Sequence, residues 1–254
     1  PAVNLDAHRQ PSPSAQAEAT ERPSRFASDE EREAYLQKGY PRIKVTRASE
    51  ANRDPEFQKT LDAVKQAVAK RDLDALIAGI AEERIVSDPS EASGMASFLT
   101  RWKLTYEPRQ SELWTELGHA LELGVGYDQQ HQAFFAPALT LATPYADKIL
   151  AENIEPRDRA VIVGIQVNAR SEPGQRGEQL EQVSYEIVKL AGKPDSKTRQ
   201  TIGGETHPWW PVTLYNGKRA YVFGKYVRPW NGYEARFEKV GDAWKLVRFA
   251  PRVE

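Results

Sequence analysis

The spacing of the hydrophobic residues changes part-way along the chain, and this change constrains the fold more than any other feature of the sequence. Between residues 54 and 124, apolar side chains recur at three- and four-residue intervals, as amphipathic helices require, for example at Phe57, Leu61, Val64 and Val68. After a polar break at residues 155–158, short β-branched runs follow at 160–167 and 183–188. The sequence therefore predicts an α+β protein whose helices precede most of its strands.

Capping residues predict where the helices begin. Ser28 is followed three residues later by Glu31, a capping-box pattern, and a short helix is predicted near residues 29–38. Asp54 precedes Pro55, a favoured pair for an N-cap and the first helical position. Further helices are predicted after Asp72, around Met95 to Trp102, and after Ser111, the last of them ending at Gly124.

We divide the chain into three predicted segments. Residues 1–27 contain four prolines and no apolar stripe, which predicts a disordered leader or linker. Residues 28–158 are predicted to form a mainly helical α+β domain, and residues 159–254 a β domain. The chain begins at Pro1 without a visible signal peptide, so we expect either a truncated chain or a removed targeting peptide. A periplasmic or otherwise exported location is predicted, and a cytoplasmic one stays open.

Composition excludes several classes of function. The chain has no cysteine, which excludes disulfides, thiolate metal sites and cysteine nucleophiles. No apolar run approaches the roughly 18 to 20 residues that a membrane-spanning helix needs. No helix-turn-helix or RNA-binding signature is present, so we predict no nucleic-acid partner.

Charge is divided unevenly along the chain. Residues 159–254 hold 16 Lys and Arg against 10 Asp and Glu, a net charge of +6, and residues 1–158 carry a net charge of −7. A basic domain can attract an anionic polymer, or the two halves can attract each other or simply be solvated. We favour the second interpretation.

A resemblance to a known family extends over residues 159–229. A strand is followed by the turn Asn168-Ala169-Arg170-Ser171-Glu172-Pro173-Gly174, and later by Trp210-Pro211-Val212, the hairpin turn Asn216-Gly217 and the closing Lys225-Tyr226-Val227. In order and spacing these motifs resemble the bacterial Src-homology-3-like (SH3-like) domain. Two features depart from the family pattern: Glu172 stands where glycine is usual, and the segment 191–207 is longer than the usual link. The resemblance implies a small five-stranded β-barrel that recognises a peptide or peptidoglycan.

A further hairpin is predicted after this region. Gly241-Asp242 lies between two alternating segments, 233–240 and 244–249, whose apolar residues Phe237, Trp244 and Phe249 are predicted to face inward. The sequence allows this hairpin either to complete the barrel or to cover the helical domain.

Aromatic residues concentrated near the C-terminus are the candidate ligand-binding residues. Four of the six tryptophans lie in the last 46 residues. Trp209 and Trp230 each adjoin a proline, which predicts exposed positions at strand ends, and Arg228 and Tyr233 are predicted to add a charge and a hydroxyl to the same patch. Alternatively, these large rings fill the core of a small barrel.

Metal binding and catalysis have weaker support. His119 with Glu116 and Glu122, together with His131 and Asp128, offers nitrogen and carboxylate ligands, but their spacing matches no zinc pattern. We therefore predict surface or capping roles for these residues, with no metal, no cofactor and no catalytic residue.

The function predicted from these observations is a non-catalytic, exported binding or adaptor protein whose barrel recognises a peptide or a cell-wall polymer. One alternative is a cell-wall hydrolase that uses carboxylates or a metal, since the absence of cysteine excludes a Cys-His peptidase. The other is a structural or assembly protein whose barrel packs against its own helical domain. The sequence does not indicate which oligomeric state the protein adopts.

Overall fold

The computed structural model describes residues 26–88, 90 and 92–252. Its helices are α1 (Asp29–Gln37), α2 (Pro55–Lys70), α3 (Leu73–Ala78), α4 (Met95–Arg101), α5 (Leu113–Glu122) and α6 (Ala146–Asn153). The strands of the first two-thirds of the chain are β1 (Val45–Arg47), β2 (Gly126–Asp128), β3 (Ala133–Ala136), β4 (Leu139–Leu141), β5 (Arg159–Ile162) and β6 (Val167–Arg170). Those that follow are β7 (Gln179–Val183), β8 (Glu186–Leu190), β9 (Gln200–Ile202), β10 (Glu205–His207), β11 (Trp209–Thr213), β12 (Arg219–Phe223), β13 (Val227–Pro229), β14 (Tyr233–Val240) and β15 (Ala243–Pro251). The predicted α+β class is confirmed.

The chain divides into two units, Pro1–Tyr35 and Leu36–Glu254. In the first unit, the amide of Glu31 donates to Oγ of Ser28 at 3.1 Å, and the amide of Ala27 donates to Oε2 of Glu31 at 2.7 Å. The first bond is the Ser28 half of the predicted capping box, whereas the Glu31 carboxylate accepts from Ala27, one residue before the cap, instead of from Ser28. Residues 1–25 of the predicted leader lie outside the described residues.

In the second unit, α2 and α3 begin at the predicted caps. The Asp54 carboxylate accepts hydrogen bonds from the amides of Glu56 and Phe57 at 2.9 and 3.2 Å, and Pro55 occupies the first turn of α2. Asp72 caps α3 in the same way, accepting from the amide of Ala75 at 3.1 Å. An N-cap side chain accepts hydrogen bonds from backbone amides within three residues of itself, so the local sequence is enough to determine where α2 and α3 begin.

The C-terminal hairpin packs against the helices. Strands β15, β14, β3 and β2 form a four-stranded antiparallel sheet in that order, with Phe237 of β14 opposite Phe134 of β3. The ring of Trp244 lies 5.4 Å from that of Phe57 in α2 and 5.0 Å from that of Phe134. Phe237, Trp244 and Phe249 are all buried, as predicted. Of the two positions that the sequence allowed, the hairpin therefore takes the one that covers the helical half.

A seven-stranded antiparallel sheet follows α6 and the short 3₁₀ turn at residues 156–158. Its strand order is β13-β5-β8-β11-β12-β6-β7. One apolar cluster receives at least one buried side chain from each of the seven strands. Within the described residues the end strands β13 and β7 do not pair with each other, so the sheet is not a closed barrel.

A segment that we call the strap, residues 36–50, joins this sheet to the helical half. Its backbone bonds to the loop before β8 and to β8 itself, with the amide of Val45 donating to Tyr185 at 2.9 Å and Ile43 accepting from Ile187 at 2.9 Å. Glu186, only 1% exposed, pairs with Arg42 of the strap at 3.0 Å and with Lys44. The strap and α6 cover the outer face of β5 and β8, which explains why every residue of β8 is buried.

No helix in the described ranges is both long and apolar enough to cross a membrane.

Candidate functional site

A cleft of about 200 Å³ opens on the seven-stranded sheet. It is formed by the turn between β5 and β6, by β6 and the loop after it, by β9, by the facing ends of β11 and β12, and by the 3₁₀ turn at residues 224–226. The residues that line it are Ile165, Gln166, Val167, Asn168, Arg170, Gln175, Ile202, Trp209, Phe223 and Tyr226.

Aromatic rings form one wall of this cleft. Trp209 lies opposite Phe223 in the β11–β12 pairing, and their ring centroids are 5.6 Å apart. The indole Nε1 of Trp209 donates to Oε1 of Gln200 in β9 at 3.2 Å. Trp209 is only 3% exposed, so the predicted exposure of this residue is wrong. The physical reason is that the long segment 191–207 forms the β9–β10 hairpin, and β9 supplies the hydrogen-bond partner of the indole.

An isoleucine projects into solvent at the rim. Ile165 is 78% exposed and lies between Gly164, with φ of +133°, and Gln166, with φ of +54°. The turn is anchored on both sides of it, because the amide of Gln166 donates to Oγ of Ser184 at 2.7 Å and Gly164 accepts from the amide of Tyr185 at 3.2 Å. A Cβ at residue 164 would come within 2.9 Å of Cγ2 of Val167, so this turn requires glycine. The exposed isoleucine is thus held in place by an ordered turn.

The polar lining of the cleft consists of amides and one cation. Gln166, Asn168 and Gln175 supply amide groups, and Arg170 is the one charged residue of the lining. The Arg170 guanidinium donates to the carbonyl of Gly177 at 2.7 Å through Nη1, which leaves it further N–H donors. The cleft can therefore accept an apolar side chain beside Ile165, hydrogen-bond a peptide group and attract a carboxylate.

Arg228, a predicted ligand residue, is instead part of the packing between the two halves. It is 8% exposed, and its guanidinium pairs with Glu122 at the end of α5 at 3.2 Å. It also donates to the carbonyls of Lys225 and Val227 at 2.8 and 3.1 Å. Burial lowers the pKa of the Arg228 guanidinium, and the Glu122 carboxylate opposes that shift. The prediction of an accessible charge at Arg228 is wrong.

Trp230 and Tyr233 lie at two further places. Trp230 is half-buried against the cluster beneath the strap, and the guanidinium of Arg252 lies 5.8 Å from its ring centroid. Tyr233 is half-buried in the helical half, with its ring 4.9 Å from that of Trp102. The four predicted residues therefore do not form one patch, and of them only Trp209 lines the cleft on the sheet.

The two histidines considered as metal ligands have different surroundings. Burial lowers the pKa of His119 to about 4, helped by the charges of Arg228 and His207. His131 lies in the turn between β2 and β3, with a side chain that is 56% exposed, and contacts Asp128 through both its amide and its ring, at 3.1 and 2.6 Å. Across residues 26–88, 90 and 92–252, no group of three or more His, Cys, Asp or Glu is arranged to hold a metal ion.

Sequence reasoning missed Ile165, Phe223 and Tyr226 as site residues. It treated residues 160–167 as one strand, whereas the structure has β5, a turn and β6 there. Gly164 was the available signal, since an isolated glycine in a strand pattern marks a bulge or bend. Comparison with protein-family models, with curated proteins and with solved structures gave no match to this chain. The case for a function therefore depends on the geometry of the cleft.

Proposed function

We propose that this chain is a non-catalytic binding protein whose seven-stranded sheet is an SH3-like domain, and that the cleft on this sheet binds a peptide, either free or as part of peptidoglycan. The observation that carries the proposal is Ile165, a large apolar side chain held 78% exposed beside the aromatic wall of the cleft. A ligand that packs on this side chain removes apolar surface from water and so gains binding free energy.

Strand order supports the SH3-like assignment. The neighbours β13, β5, β8, β11 and β12 make a run of five antiparallel strands in which the last strand in sequence pairs with the first. The hairpin β6–β7 is inserted after the first strand and carries the Arg170 to Gly174 part of the family-like motif at its turn. All seven strands contribute buried side chains to one core, as a small, partly open barrel requires.

The size and chemistry of the cleft favour a peptide over a compact small molecule. Its volume of about 200 Å³ is below the roughly 300–1,000 Å³ typical of drug-sized ligands, so it fits one or two side chains of a longer ligand. Amide groups at Gln166 and Asn168 match the donors and acceptors of a peptide backbone. Arg170 adds a donor for a carboxylate, which both a free peptide and the peptide part of peptidoglycan provide.

The proposal is tested with Ile165→Asp. Covering an isoleucine fully contributes about 1.5–3 kcal/mol, so a charge at this position is expected to weaken binding at least about tenfold. Binding is measured by retention on insoluble peptidoglycan and on an array of short peptides. The matched control is Tyr145→Asp, because Tyr145 is 84% exposed and lines neither this cleft nor the cleft beside Trp102 in the helical half. Both variants are expected to keep the parent melting temperature.

Three outcomes contradict the proposal. The first is that neither peptidoglycan nor any peptide is retained by the parent protein. The second is that Ile165→Asp and Tyr145→Asp bind equally well. The third is release of soluble fragments from peptidoglycan, which would support the hydrolase alternative.

A structural role has one observation of its own. The strap and α6 bury the outer face of β5 and β8, which fixes the sheet to the helical half. If the parent protein binds no ligand but assembles with another envelope protein, this fixed arrangement is the function to pursue. Binding of peptidoglycan would require an exported or periplasmic location, which cell fractionation tests.

A further inference from the structure

A second, larger cleft lies in the helical half, and none of its lining residues belongs to the seven-stranded sheet. Its volume is about 410 Å³, within the range of small-molecule sites. It lies between the turn that follows α4 and the residues that lead into α5, and Tyr233 of β14 contributes to its lining.

Four charged side chains of both signs line this cleft. Arg101 and Lys103 are the cations, and Glu107 and Glu112 are the carboxylates. In the described part of the chain none of the four forms an ion pair within 4 Å, although each sign is present twice around one small space. The one hydrogen bond from these side chains in that part of the chain is a long one, from Nη2 of Arg101 to the Tyr233 hydroxyl at 3.5 Å.

The wall between these charges is aromatic and fixed. Trp102 is 5% exposed, and its ring lies 4.9 Å from Tyr233 and 5.1 Å from Phe249. Its carbonyl accepts a hydrogen bond from Oγ of Ser111 at 2.5 Å, which fixes the turn to the start of α5. The indole Nε1 of Trp102 has no hydrogen-bond partner among the described residues. A buried donor without a partner is costly to the folded state.

The backbone of the turn is also ordered. Lys103 has φ of +52°, an unusual value for a long side chain. The turn is maintained by hydrogen bonds from the amides of Lys103 and Leu104 to Thr100 and Leu99, at 3.1 and 2.9 Å. The direction in which the Lys103 side chain leaves the backbone is therefore set by the fold.

We propose that this cleft binds a small zwitterion of the amino-acid or short-peptide type, with its carboxylate toward Arg101 and Lys103 and its ammonium group toward Glu107 and Glu112. An anion alone would meet two carboxylates, and a cation alone would meet two cations. All four charged side chains are exposed in the free protein, and a neutral ligand would displace part of their water without replacing its hydrogen bonds. A zwitterion compensates both signs, and its aliphatic part packs on Trp102. This site is independent of the peptide cleft on the sheet.

The test follows the indole N–H signal of Trp102 in ¹H–¹⁵N NMR spectra of the full chain, identified with Trp102→Phe. The standard amino acids and the dipeptide alanyl-alanine are titrated to their solubility limits. For the tightest ligand, the N-acetyl form lacks the ammonium group and the C-terminal amide lacks the carboxylate. Each modified form is expected to bind at least about fivefold more weakly, because one set of charge contacts is lost.

Charge variants locate the site. Lys103→Met is expected to weaken binding of the zwitterion but not of the C-terminal amide, a cation that Lys103 would repel. Glu107→Gln is likewise expected to weaken binding of the zwitterion but not of the N-acetyl form, an anion that Glu107 would repel. Lys148→Met is the matched control, because this exposed lysine lies on α6 and lines neither cleft.

The proposal is overturned if no titrant moves the Trp102 signal. It is also overturned if the zwitterion and its two modified forms bind equally, or if Lys148→Met has the same effect as Lys103→Met. Failure here leaves the peptide cleft untouched, because Ile165→Asp tests that site separately.

Discussion

The hydrogen bond between Asp54 and Trp244 connects residues 190 positions apart, and it provides a direct test of where the C-terminal hairpin lies. Oδ1 of Asp54 caps α2, while Oδ2 accepts from the Trp244 indole at 2.9 Å. Burial alone would raise the pKa of Asp54, but the hydrogen bonds from the indole and the two capping amides lower it below its ordinary value of 3.8. Asp54 is therefore ionised at neutral pH, and the indole donates to a charged acceptor.

The expected size of this interaction follows from its surroundings. A hydrogen bond to a charged group contributes about 1.5–3 kcal/mol net. The Asp54 side chain is 27% exposed, so we expect the lower end, about 1.5 kcal/mol. Asp54 has a second partner on the same hairpin, since Nζ of Lys239 lies 3.6 Å from Oδ2 on a side chain that is 55% exposed. That exposed pair is expected to contribute less than about 0.5 kcal/mol.

Two double-mutant cycles separate these contributions. The first combines Asp54→Ala with Trp244→Phe, and the second combines Asp54→Ala with Lys239→Met. The loss of the helix cap appears in every Asp54→Ala variant and cancels in the coupling energy. Unfolding in urea is followed by far-UV circular dichroism, because fluorescence would change with the tryptophan itself, and equal slopes in all variants are required before the free energies are compared.

The coupling energy is expected to be about 1.5 kcal/mol for Asp54 with Trp244 and near zero for Asp54 with Lys239. A coupling below about 0.3 kcal/mol in the first cycle lies within the additivity expected of distant residues. That result would refute the hydrogen bond between the hairpin and the cap of α2. Equal coupling energies in both cycles would show instead that Trp244 and Lys239 both interact with Asp54 only through its charge.

Three further predictions concern the seven-stranded sheet and the interface. Glu186→Gln is expected to lower the free energy of unfolding by about 2 kcal/mol, less than the roughly 3–5 kcal/mol of a fully buried ion pair, because the partners of Glu186 are 36% and 43% exposed. The control Glu152→Gln breaks an exposed pair at 3.8 Å and is expected to lower it by less than about 0.5 kcal/mol. Equal losses in urea unfolding would refute this prediction. His119 has its pKa lowered from 6.5 to about 4, so the unfolded chain binds more protons in that range and stability falls as pH falls. Between about pH 7 and pH 5, His119→Gln is therefore expected to lose about 1 kcal/mol less of its free energy of unfolding than the parent, a value reduced because the imidazole is only half-buried. Burial raises the pKa of Glu116, which acts in the opposite direction but equally in both proteins. Equal losses in the two proteins would contradict this assignment. Trp209→Ala should cost about 3–5 kcal/mol in the same unfolding assay, and a cost below about 1 would mean that the ring is exposed after all.

Local sequence determined where α2 and α3 begin and which face of the hairpin points inward. The caps at Asp54 and Asp72 act on amides two or three residues away, so no distant part of the chain is needed to place them. Alternation likewise places Phe237 and Trp244 on one face of their hairpin wherever that hairpin packs. The α+β class follows from these short-range patterns alone.

Tertiary structure decided which part of the molecule the hairpin packs against and which residues form the cleft on the seven-stranded sheet. The alternating pattern of residues 233–249 fits a barrel as well as it fits the helices, and the choice depends on the apolar surface that α2 and β3 leave uncovered. Trp209 is buried because β9, contributed by a hairpin of irregular sequence, supplies a partner for its indole. Ile165 is exposed because two residues of positive φ hold it in a turn. Hydrophobicity predicts that an isoleucine is buried, and only the path of the backbone around Gly164 reveals that this one is not.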